Sequence, residues 1–152
     1  MSTETRILFV CTGNLCRSPM AAVYFRHLCE ERELEDVSVK SAGVAALNGE
    51  PMSRQALLAL AAQGLDGSGE RSQSLSRDLV DWADRIIVMT GMHEESLKSH
   101  VPGAGAKVRK LMSLVGDAGD VPDPFGGTVE QYKTCLAKMI PPLQALADRL
   151  SR

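Results

Sequence analysis

Two cysteines and an arginine lie close together near the start of the chain, in the stretch FVCTGNLCRSPMA that runs from Phe9 to Ala21. Arg17 follows Cys11 by six positions. A cysteine thiolate is a strong nucleophile, and an arginine guanidinium presents a planar fork that matches the oxygens of a tetrahedral anion. The pair therefore predicts a site in which a thiolate attacks a bound oxyanion.

The residues between Cys11 and Arg17 predict a loop that binds an anion. Gly13 and Asn14 tolerate a left-handed backbone, which a tight loop with inward-pointing amides requires. Such a loop forms a nest of N–H groups, and the helix that follows adds its positive end. The same groups would favour a Cys11 thiolate, whose in-line attack on a phosphoryl group gives a covalent phosphocysteine. The alternative interpretation is a buried cysteine at a strand end beside a surface arginine.

Short apolar runs alternate along the chain with helical patterns. Strands are predicted at 6–10, 37–41, 85–89 and 107–111, and helices from about 18, over 53–64, near 76–82, over about 92–100 and from 128. This alternation predicts an α/β fold: a single-domain, three-layer sandwich over residues 1–152, with a four-stranded parallel sheet and helices on both faces. Ligands of such sheets bind beyond the carboxyl ends of the strands, where the Cys11 loop begins.

The last predicted helix carries two opposing signals. Thr128 and Gln131 form a capping-box pattern at its start, and apolar residues then recur at three- and four-residue spacing. Pro141 and Pro142 fall within this pattern and disfavour a continuous helix, because proline has no backbone N–H to donate. We therefore expect a kink or a break near Ile140.

Composition and charge exclude several classes of protein. The chain has 152 residues, of which 44% are hydrophobic and 24% charged, and a formal net charge of -2. This balance gives no electrostatic reason to bind nucleic acid. The longest apolar stretches fall short of the ~20 residues that a membrane span needs, and residues 1–10 lack the features of a signal peptide. We expect a cytoplasmic protein that binds neither nucleic acid nor membranes.

The other cysteines and the histidines are expected to be structural. Cys29 and Cys135 lie among apolar residues, where a free cysteine packs as a small hydrophobe. The four cysteines show no CxxC pair and no matching histidine spacing, so neither a metal site nor a cofactor is predicted. His27 and His100 fit solvated helix positions, and His93 lies at a predicted helix start.

Several segments resemble one family. VCTGNLCRSPMA resembles the phosphate-binding loop of the low-molecular-weight protein tyrosine phosphatases, and DPFGG (123–127) resembles their general-acid loop. SAGV (41–44) and ADRIIVMT (83–90) fall where that family has similar segments, so the resemblance covers essentially the whole chain. The CTGN opening, SAGV and DPFGG look most like a bacterial subgroup that includes protein arginine phosphatases.

The resemblance implies a role for each polar residue of the loop. Cys11 would be the nucleophile, and Arg17 with the loop amides would bind the phosphoryl oxygens. Ser18 would hydrogen-bond the thiolate and help it leave, while Asn14 and Ser41 would hold the shape of the loop. The phosphate-binding residues would then be Thr12, Gly13, Asn14, Leu15, Cys16, Arg17 and Ser18.

Asp123 would be the general acid of the same family pattern. It would protonate the departing oxygen and then deprotonate the water that hydrolyses phosphocysteine, a contribution of about 10²–10⁴ in rate. From the residues alone, Asp117 and Asp120 are nearby alternatives, and Asp-Pro is an ordinary turn dipeptide.

The resemblance also implies that Cys16 can pair reversibly with Cys11 under oxidation. A small side chain that fills the underside of the loop is the alternative role for Cys16.

Three residues are expected to form the substrate pocket: Leu15, Leu47 and Phe125. Arginine phosphatases of the family carry a threonine at the position of Leu15, whereas its tyrosine phosphatases carry an apolar residue there. A leucine cannot hydrogen-bond a guanidinium, and it favours a flat aromatic ring. Gly126 follows Phe125 where many relatives have a second aromatic residue, which leaves a more open pocket.

The predicted function is that of a cysteine-dependent protein tyrosine phosphatase, which acts on phosphorylated proteins as a monomer or weak dimer. A protein arginine phosphatase is the main alternative. Arsenate reduction needs a relay of further cysteines, and Cys29 and Cys135 lack the relay spacing. A phosphopeptide-binding module without turnover would need neither Cys11 nor Asp123.

Overall fold

A central strand, β1 (Thr5–Cys11), organises the sheet in the computed structural model, which describes residues 4–151. β1 pairs in parallel with β2 (Val37–Gly43) on one side and with β3 (Arg85–Val88) on the other, and β4 (Val108–Lys110) lies beyond β3. The strand order is therefore β2-β1-β3-β4. The predicted four-stranded parallel sheet is confirmed.

Helices cover both faces of this sheet. They are α1 (Arg17–Glu31), α2 (Arg54–Ala61), α3 (Arg77–Trp82), α4 (Gly91–His100), α5 (Val129–Leu150) and two 3₁₀ helices at Ala104–Lys107 and Leu111–Val115. Side chains of β1 alternate between two hydrophobic cores, with Ile7 and Phe9 in one and Leu8 and Val10 in the other. The first core also contains α1, α2 and α5, and the second contains α3 and α4, which confirms the three-layer arrangement. None of the helices in residues 4–151 combines the length and apolar content needed to span a membrane.

The loop after β1 lies at the point where the strand order reverses. The chain leaves β1 through α1 to reach β2 on one side, whereas β3 pairs with the opposite side of β1. The carboxyl end of β1 is thus a topological switch point, and crevices at such points bind ligands in open α/β sheets. Cys11 is the last residue of β1, lies opposite Gly43 of β2, and packs in the core on the α1 side.

α5 continues through both of its prolines. It runs unbroken past Pro141 and Pro142, so of the expected kink or break near Ile140 the break is wrong, and the kink stays a prediction. The two prolines lack the N–H groups that would bond the carbonyls one turn earlier, those of Ala137 and Lys138. Both of these residues are exposed, so water can replace the missing donors. Packing of α5 on α1 and α2 keeps the helix in one piece.

Candidate active site

A cavity of about 300 Å³ opens above Cys11 at the carboxyl edge of the sheet. Its walls are formed by Cys11, Thr12, Gly13, Leu15, Cys16, Arg17, Asp123 and Phe125. The nucleophile, the arginine and the acid expected from the sequence therefore meet at one place, although Asp123 lies far along the chain from the other two. Cys11 is only 3% exposed, which places its thiol at the floor of the cavity.

Asn14 holds the loop in shape from below. Its backbone is left-handed, with φ of 56°, and its side chain is buried. Nδ2 donates to Ser18 Oγ at 2.7 Å and to Ser41 Oγ at 2.9 Å. Oδ1 accepts from the backbone N–H of Gln73 at 2.9 Å. The side chain thus ties the loop to β2 and to the segment before α3, as expected for Asn14 and Ser41, and adds Gln73, which the sequence pattern did not indicate.

The SAGV segment packs its backbone against the loop at close range. The N–H of Val44 donates to the carbonyl of Cys11 at 3.0 Å, and the N–H of the next residue, Ala45, donates to the carbonyl of Thr12 at 2.9 Å. A Cβ atom on Gly43 would lie 2.4 Å from Thr12 O and 2.9 Å from Asn14 N, closer than real Cβ atoms come. Only glycine therefore fits at this position, a role that the sequence pattern alone did not assign.

The first turn of α1 has no side-chain cap. α1 begins after Cys16, whose side chain makes no capping hydrogen bond. The other α-helices of residues 4–151 are each capped by a hydroxyl, from Ser53, Ser76, Thr90 and Thr128. The first N–H groups of α1 are thus left for a bound anion, and the positive end of the helix dipole adds to the attraction.

Arg17 is the first residue of α1, and its guanidinium is buried beside the cavity. Nη1 donates to the carbonyl of Val121 at 2.9 Å, a contact that fixes the guanidinium plane. Nη2 lies 3.5 Å from Thr12 Oγ1 and 3.7 Å from Asp123 Oδ2. Because Thr12 and Asp123 both line the cavity, this edge of the guanidinium faces the space that an anion would enter. A charged fork in such a partly dry site binds an oxyanion more strongly than it would in water.

Cys11 Sγ lies 2.9 Å from Ser18 Oγ. Asn14 Nδ2 already donates to that oxygen, so the hydroxyl proton of Ser18 is free to point elsewhere. The sulfur is the nearer acceptor, since the carbonyl of Ala42 lies 3.4 Å away. The chain of donors from Asn14 through Ser18 to Cys11 would stabilise a thiolate at the cavity floor.

The three candidate acids differ in their surroundings. Asp117 and Asp120 each accept a backbone N–H outside the cavity wall. Asp120 also pairs with Lys110 at 2.7 Å, and that hydrogen bond holds the pKa of the Asp120 carboxyl below its usual value. Asp123 lines the cavity, and its Oδ1 accepts the N–H of Phe125 at 3.0 Å, which fixes the carboxyl group. Geometry therefore favours Asp123 among the three.

The loop that carries Asp123 borders a second cavity, of about 540 Å³, on the side of α5. Asp123 and Phe125 line both cavities, and Gln131, Thr134 and Lys138 contribute to the wall of the second from α5. The acid loop is thus bordered by open space on two sides.

Cys16 lies under the loop, with Sγ 3.3 Å from Tyr132 Oη and 3.5 Å from Ser53 Oγ. Burial raises the pKa of the Cys16 thiol, and it raises the pKa of Tyr132 to about 12.

The expected core packing of Cys29 and Cys135 is confirmed, and desolvation raises the pKa of these thiols to about 11 and about 12. Cys29 and Cys135 are therefore poor sources of thiolate.

Leu15 and Phe125 form apolar walls of the cavity, but Leu47 does not line it. Leu15 is half-buried and packs against the core, whereas Phe125 is 71% exposed. Leu47 is 74% exposed and lies in the connection between β2 and α2. Of the three residues expected to form the substrate pocket, two therefore meet at the cavity.

His93 is closer to the site than its sequence position indicates. The side chain is buried, and Nε2 lies 2.8 Å from Thr12 Oγ1. Burial lowers the pKa of His93 to about 4, and the positive charge of Arg17 acts in the same direction. No local motif signals this contact, because it joins two segments that only the parallel sheet brings together.

Fold and site together define an α/β protein that is built to hold an oxyanion against a cysteine. The cysteine, an arginine and the uncapped amides of α1 surround one cavity at the switch point of the sheet. A carboxylate from a distant loop completes the wall. Binding of the anion and proton transfer to a leaving group can therefore occur in the same space.

Known proteins share both the sequence and the fold. A sequence profile described as low molecular weight phosphotyrosine protein phosphatase matches residues 6–152. A protein-arginine-phosphatase of Geobacillus stearothermophilus is 42% identical over 147 residues, 96% of this chain and 93% of the relative. The low molecular weight protein-tyrosine-phosphatase PtpB of Staphylococcus haemolyticus is 34% identical over 135 residues, 89% of this chain and 92% of the relative. The crystal structure of a YwlE mutant from Bacillus subtilis matches with a TM-score of 0.92 at 35% identity, over 98% of this chain and 100% of that chain.

The chain therefore belongs to the low molecular weight phosphotyrosine protein phosphatase family. The resemblance carried by the CTGNLCRS and DPFGG segments is confirmed. Members of this family are hydrolases, and the similarity extends over the whole fold.

Proposed function

We propose that the protein hydrolyses phosphotyrosine in phosphorylated proteins through a phosphocysteine intermediate. The observation that carries this proposal is the cavity that Cys11, Arg17 and Asp123 line together with the apolar side chain of Leu15. An aryl phosphate would place its phosphoryl group in the loop and its ring against Leu15 and Phe125. The enzyme acts in the cytoplasm, as a monomer or weak dimer, and its partner is the phosphorylated substrate protein.

The first chemical step transfers the phosphoryl group to sulfur. Cys11 Sγ attacks phosphorus, and an S–P bond forms while the P–O bond to the aryl oxygen breaks. Asp123 donates its proton to that oxygen, so a phenol leaves instead of a phenolate whose conjugate acid has a pKa of ~10. Arg17 and the amides of α1 bind the remaining phosphoryl oxygens and stabilise their charge in the transition state.

The second step hydrolyses the intermediate. Asp123, now a carboxylate, takes a proton from a water molecule whose oxygen attacks phosphorus, and the S–P bond breaks. Cys11 leaves as a thiolate, which the hydroxyl of Ser18 stabilises from 2.9 Å. Inorganic phosphate is released, and Asp123 is again protonated for the next substrate.

Phosphoarginine is the second candidate substrate. The similarity to the Geobacillus stearothermophilus protein-arginine-phosphatase, at 42% identity, favours it. Leu15 argues against it, because leucine offers no hydrogen bond and a buried substrate N–H left unpaired costs ~1–3 kcal/mol. The same nucleophile would serve, with Asp123 protonating a guanidinium nitrogen in place of the aryl oxygen.

Cys16 serves as a resolving thiol for Cys11. A peroxide oxidises the Cys11 thiolate to a sulfenic acid, the Cys16 sulfur attacks it, and a disulfide forms as water leaves. One observation supports this role: both cysteines line one cavity. Burial raises the pKa of Cys16, so its thiol must lose its proton as the disulfide forms. Cys16 thus stays a protonated thiol during normal turnover, packed against Tyr132.

The substrate assignment is tested by kcat/KM on matched phosphotyrosine and phosphoarginine peptides. We expect the wild type to prefer phosphotyrosine, and Leu15→Thr to shift the ratio towards phosphoarginine by about tenfold or more. Leu58→Thr, at an exposed leucine of α2, is the matched control and leaves the ratio unchanged. A wild-type preference for phosphoarginine would overturn the assignment. Binding of both peptides with no more turnover than Cys11→Ala would instead indicate a phosphopeptide-binding module.

A further inference from the structure

His93 is a buried polar side chain beside the cavity that the proposed mechanism does not use. It lies in the first turn of α4, where Thr90 Oγ1 accepts its backbone N–H at 3.2 Å. The N–H of Gly91 donates to Asp120 Oδ1 at 3.0 Å. These two hydrogen bonds fix the start of α4, and the imidazole reaches the β1–α1 loop, where Nε2 lies 2.8 Å from Thr12 Oγ1.

The surroundings of the imidazole assign its proton. Nδ1 is buried and has no hydrogen-bond partner within residues 4–151. A proton on Nδ1 would make it a buried, unpaired donor, which folded proteins rarely contain, whereas an unprotonated Nδ1 is only an acceptor left unfilled. The proton therefore lies on Nε2, and His93 donates to Thr12.

The charged groups around His93 keep it neutral. After burial, Arg17 on α1 is the strongest influence that lowers the pKa of His93, which falls to about 4. Asp120 and Asp123 face the imidazole from the acid loop and act in the opposite direction without cancelling this effect. A neutral imidazole adds a hydrogen-bond donor beside Arg17 and no second positive charge to repel the guanidinium.

We propose that His93 is a positioning residue that aims the Thr12 hydroxyl at the bound phosphoryl group, an inference that rests on the proposed function. Thr12 Oγ1 accepts the Nε2–H of His93 and lies 3.5 Å from Arg17 Nη2. Because the lone pairs of the hydroxyl face these two donors, its own proton points away from them. Thr12 lines the cavity, so this proton is available to a ligand bound there. The phosphoryl oxygens thus gain one more donor, next to the nucleophile.

Four variants test this proposal: Thr12→Val, His93→Leu, the double variant, and His93→Gln, whose amide N–H can replace Nε2–H. The readouts are kcat and KM on a phosphotyrosine peptide and the dissociation constant of inorganic phosphate, measured directly by calorimetry. Thr12→Val and His93→Leu are each expected to weaken phosphate binding and lower kcat/KM about tenfold. The double variant loses no more than either single one, and His93→Gln recovers most of the loss. His100→Leu, which removes an exposed imidazole from the same helix, is the control and changes neither readout.

The proposal is overturned if Thr12→Val binds phosphate as tightly as the wild type, or if the losses of the two single variants add. In either case His93 acts through packing alone. Thermal unfolding shows whether His93→Leu folds; if it does not, Thr12→Val and His93→Gln carry the test. Failure of the proposed function is distinguishable, because phosphate binding reports on Thr12 and His93 even in a protein that turns over no phosphotyrosine.

Discussion

The carboxylate of Asp123 lies 3.7 Å from the guanidinium of Arg17. Arg17 begins α1 and Asp123 belongs to the loop before α5, so this contact joins two distant parts of the chain at one cavity. The Asp123 side chain is 51% exposed, and solvent screening leaves such a pair little weight in stability. Its importance is chemical, because in the proposed mechanism Arg17 binds the phosphoryl oxygens and Asp123 supplies the proton, and both line the same cavity.

Asp123→Asn is expected to lower kcat on a phosphotyrosine peptide by about 10²–10⁴, because the amide cannot protonate the aryl oxygen. The loss is smaller on p-nitrophenyl phosphate, whose leaving group needs less protonation. The melting temperature changes little, since the carboxylate is half exposed. Asp117→Asn in the same loop is the control. Equal kcat values for the two variants would place the acid elsewhere.

Asn14→Ala is expected to lower the free energy of unfolding by about 2–4 kcal/mol, since it removes buried hydrogen bonds and puts alanine in a left-handed backbone. It also lowers kcat, because Ser18 loses the donor that orients its hydroxyl towards Cys11. Urea unfolding and steady-state kinetics measure both effects. Asn48→Ala, at an exposed asparagine with one backbone hydrogen bond, is the matched control. A loss of stability with unchanged kcat would separate Asn14 from catalysis.

Gly43→Ala is expected to destabilise the protein by about 1–3 kcal/mol and to reduce phosphate binding, because its methyl group would enter the backbone of the loop. Gly69→Ala is the control, since a Cβ atom there meets no atom within 4 Å. The comparison uses thermal unfolding and titration with inorganic phosphate. If both variants bind phosphate equally well, the close approach of Gly43 does not set the shape of the loop.

The stability of the protein is expected to depend on pH through His93. Its pKa is lowered to about 4 in the fold, from an ordinary value of 6.5, by burial and by Arg17. Between these values the unfolded chain binds a proton that the folded protein does not, so unfolding becomes easier as the pH falls. Denaturant unfolding is expected to show the wild type losing stability relative to His93→Gln as the pH falls from 6.5 to about 4. A difference that stays constant with pH would mean that the fold leaves the titration of His93 unperturbed.

Features set by neighbouring residues could be predicted from the sequence. Thr128 and Gln131 lie three positions apart, so their reciprocal capping box is a local pattern, and the structure contains it. Buried strands show up as short apolar runs, and their order along the chain was enough to indicate a parallel sheet. The loop after β1 was predicted only in part, since Asn14 has the expected left-handed backbone whereas Gly13 does not, and a Cβ atom on Gly13 would meet nothing within 4 Å.

Features that depend on distant contacts could not be predicted in this way. Thr12 and His93 lie 81 positions apart, and their hydrogen bond exists only because β1 and β3 are neighbours. The need for glycine at position 43 likewise arises from a loop on the adjacent strand. The missing N–H of Pro141 by itself favours an interrupted helix, whereas the packing of α5 on α1 and α2 keeps the helix continuous.

The covalent mechanism is tested most directly by mass spectrometry of the enzyme quenched in denaturant during turnover of a phosphotyrosine peptide. Asp123→Asn with p-nitrophenyl phosphate is a second useful background, because that leaving group needs less protonation in the first step while the second step lacks its base, so the intermediate accumulates. We expect one added phosphoryl group on the peptide that contains Cys11, and none in Cys11→Ala. A phosphoryl group on any other residue, or turnover that continues in Cys11→Ala, would contradict the phosphocysteine mechanism.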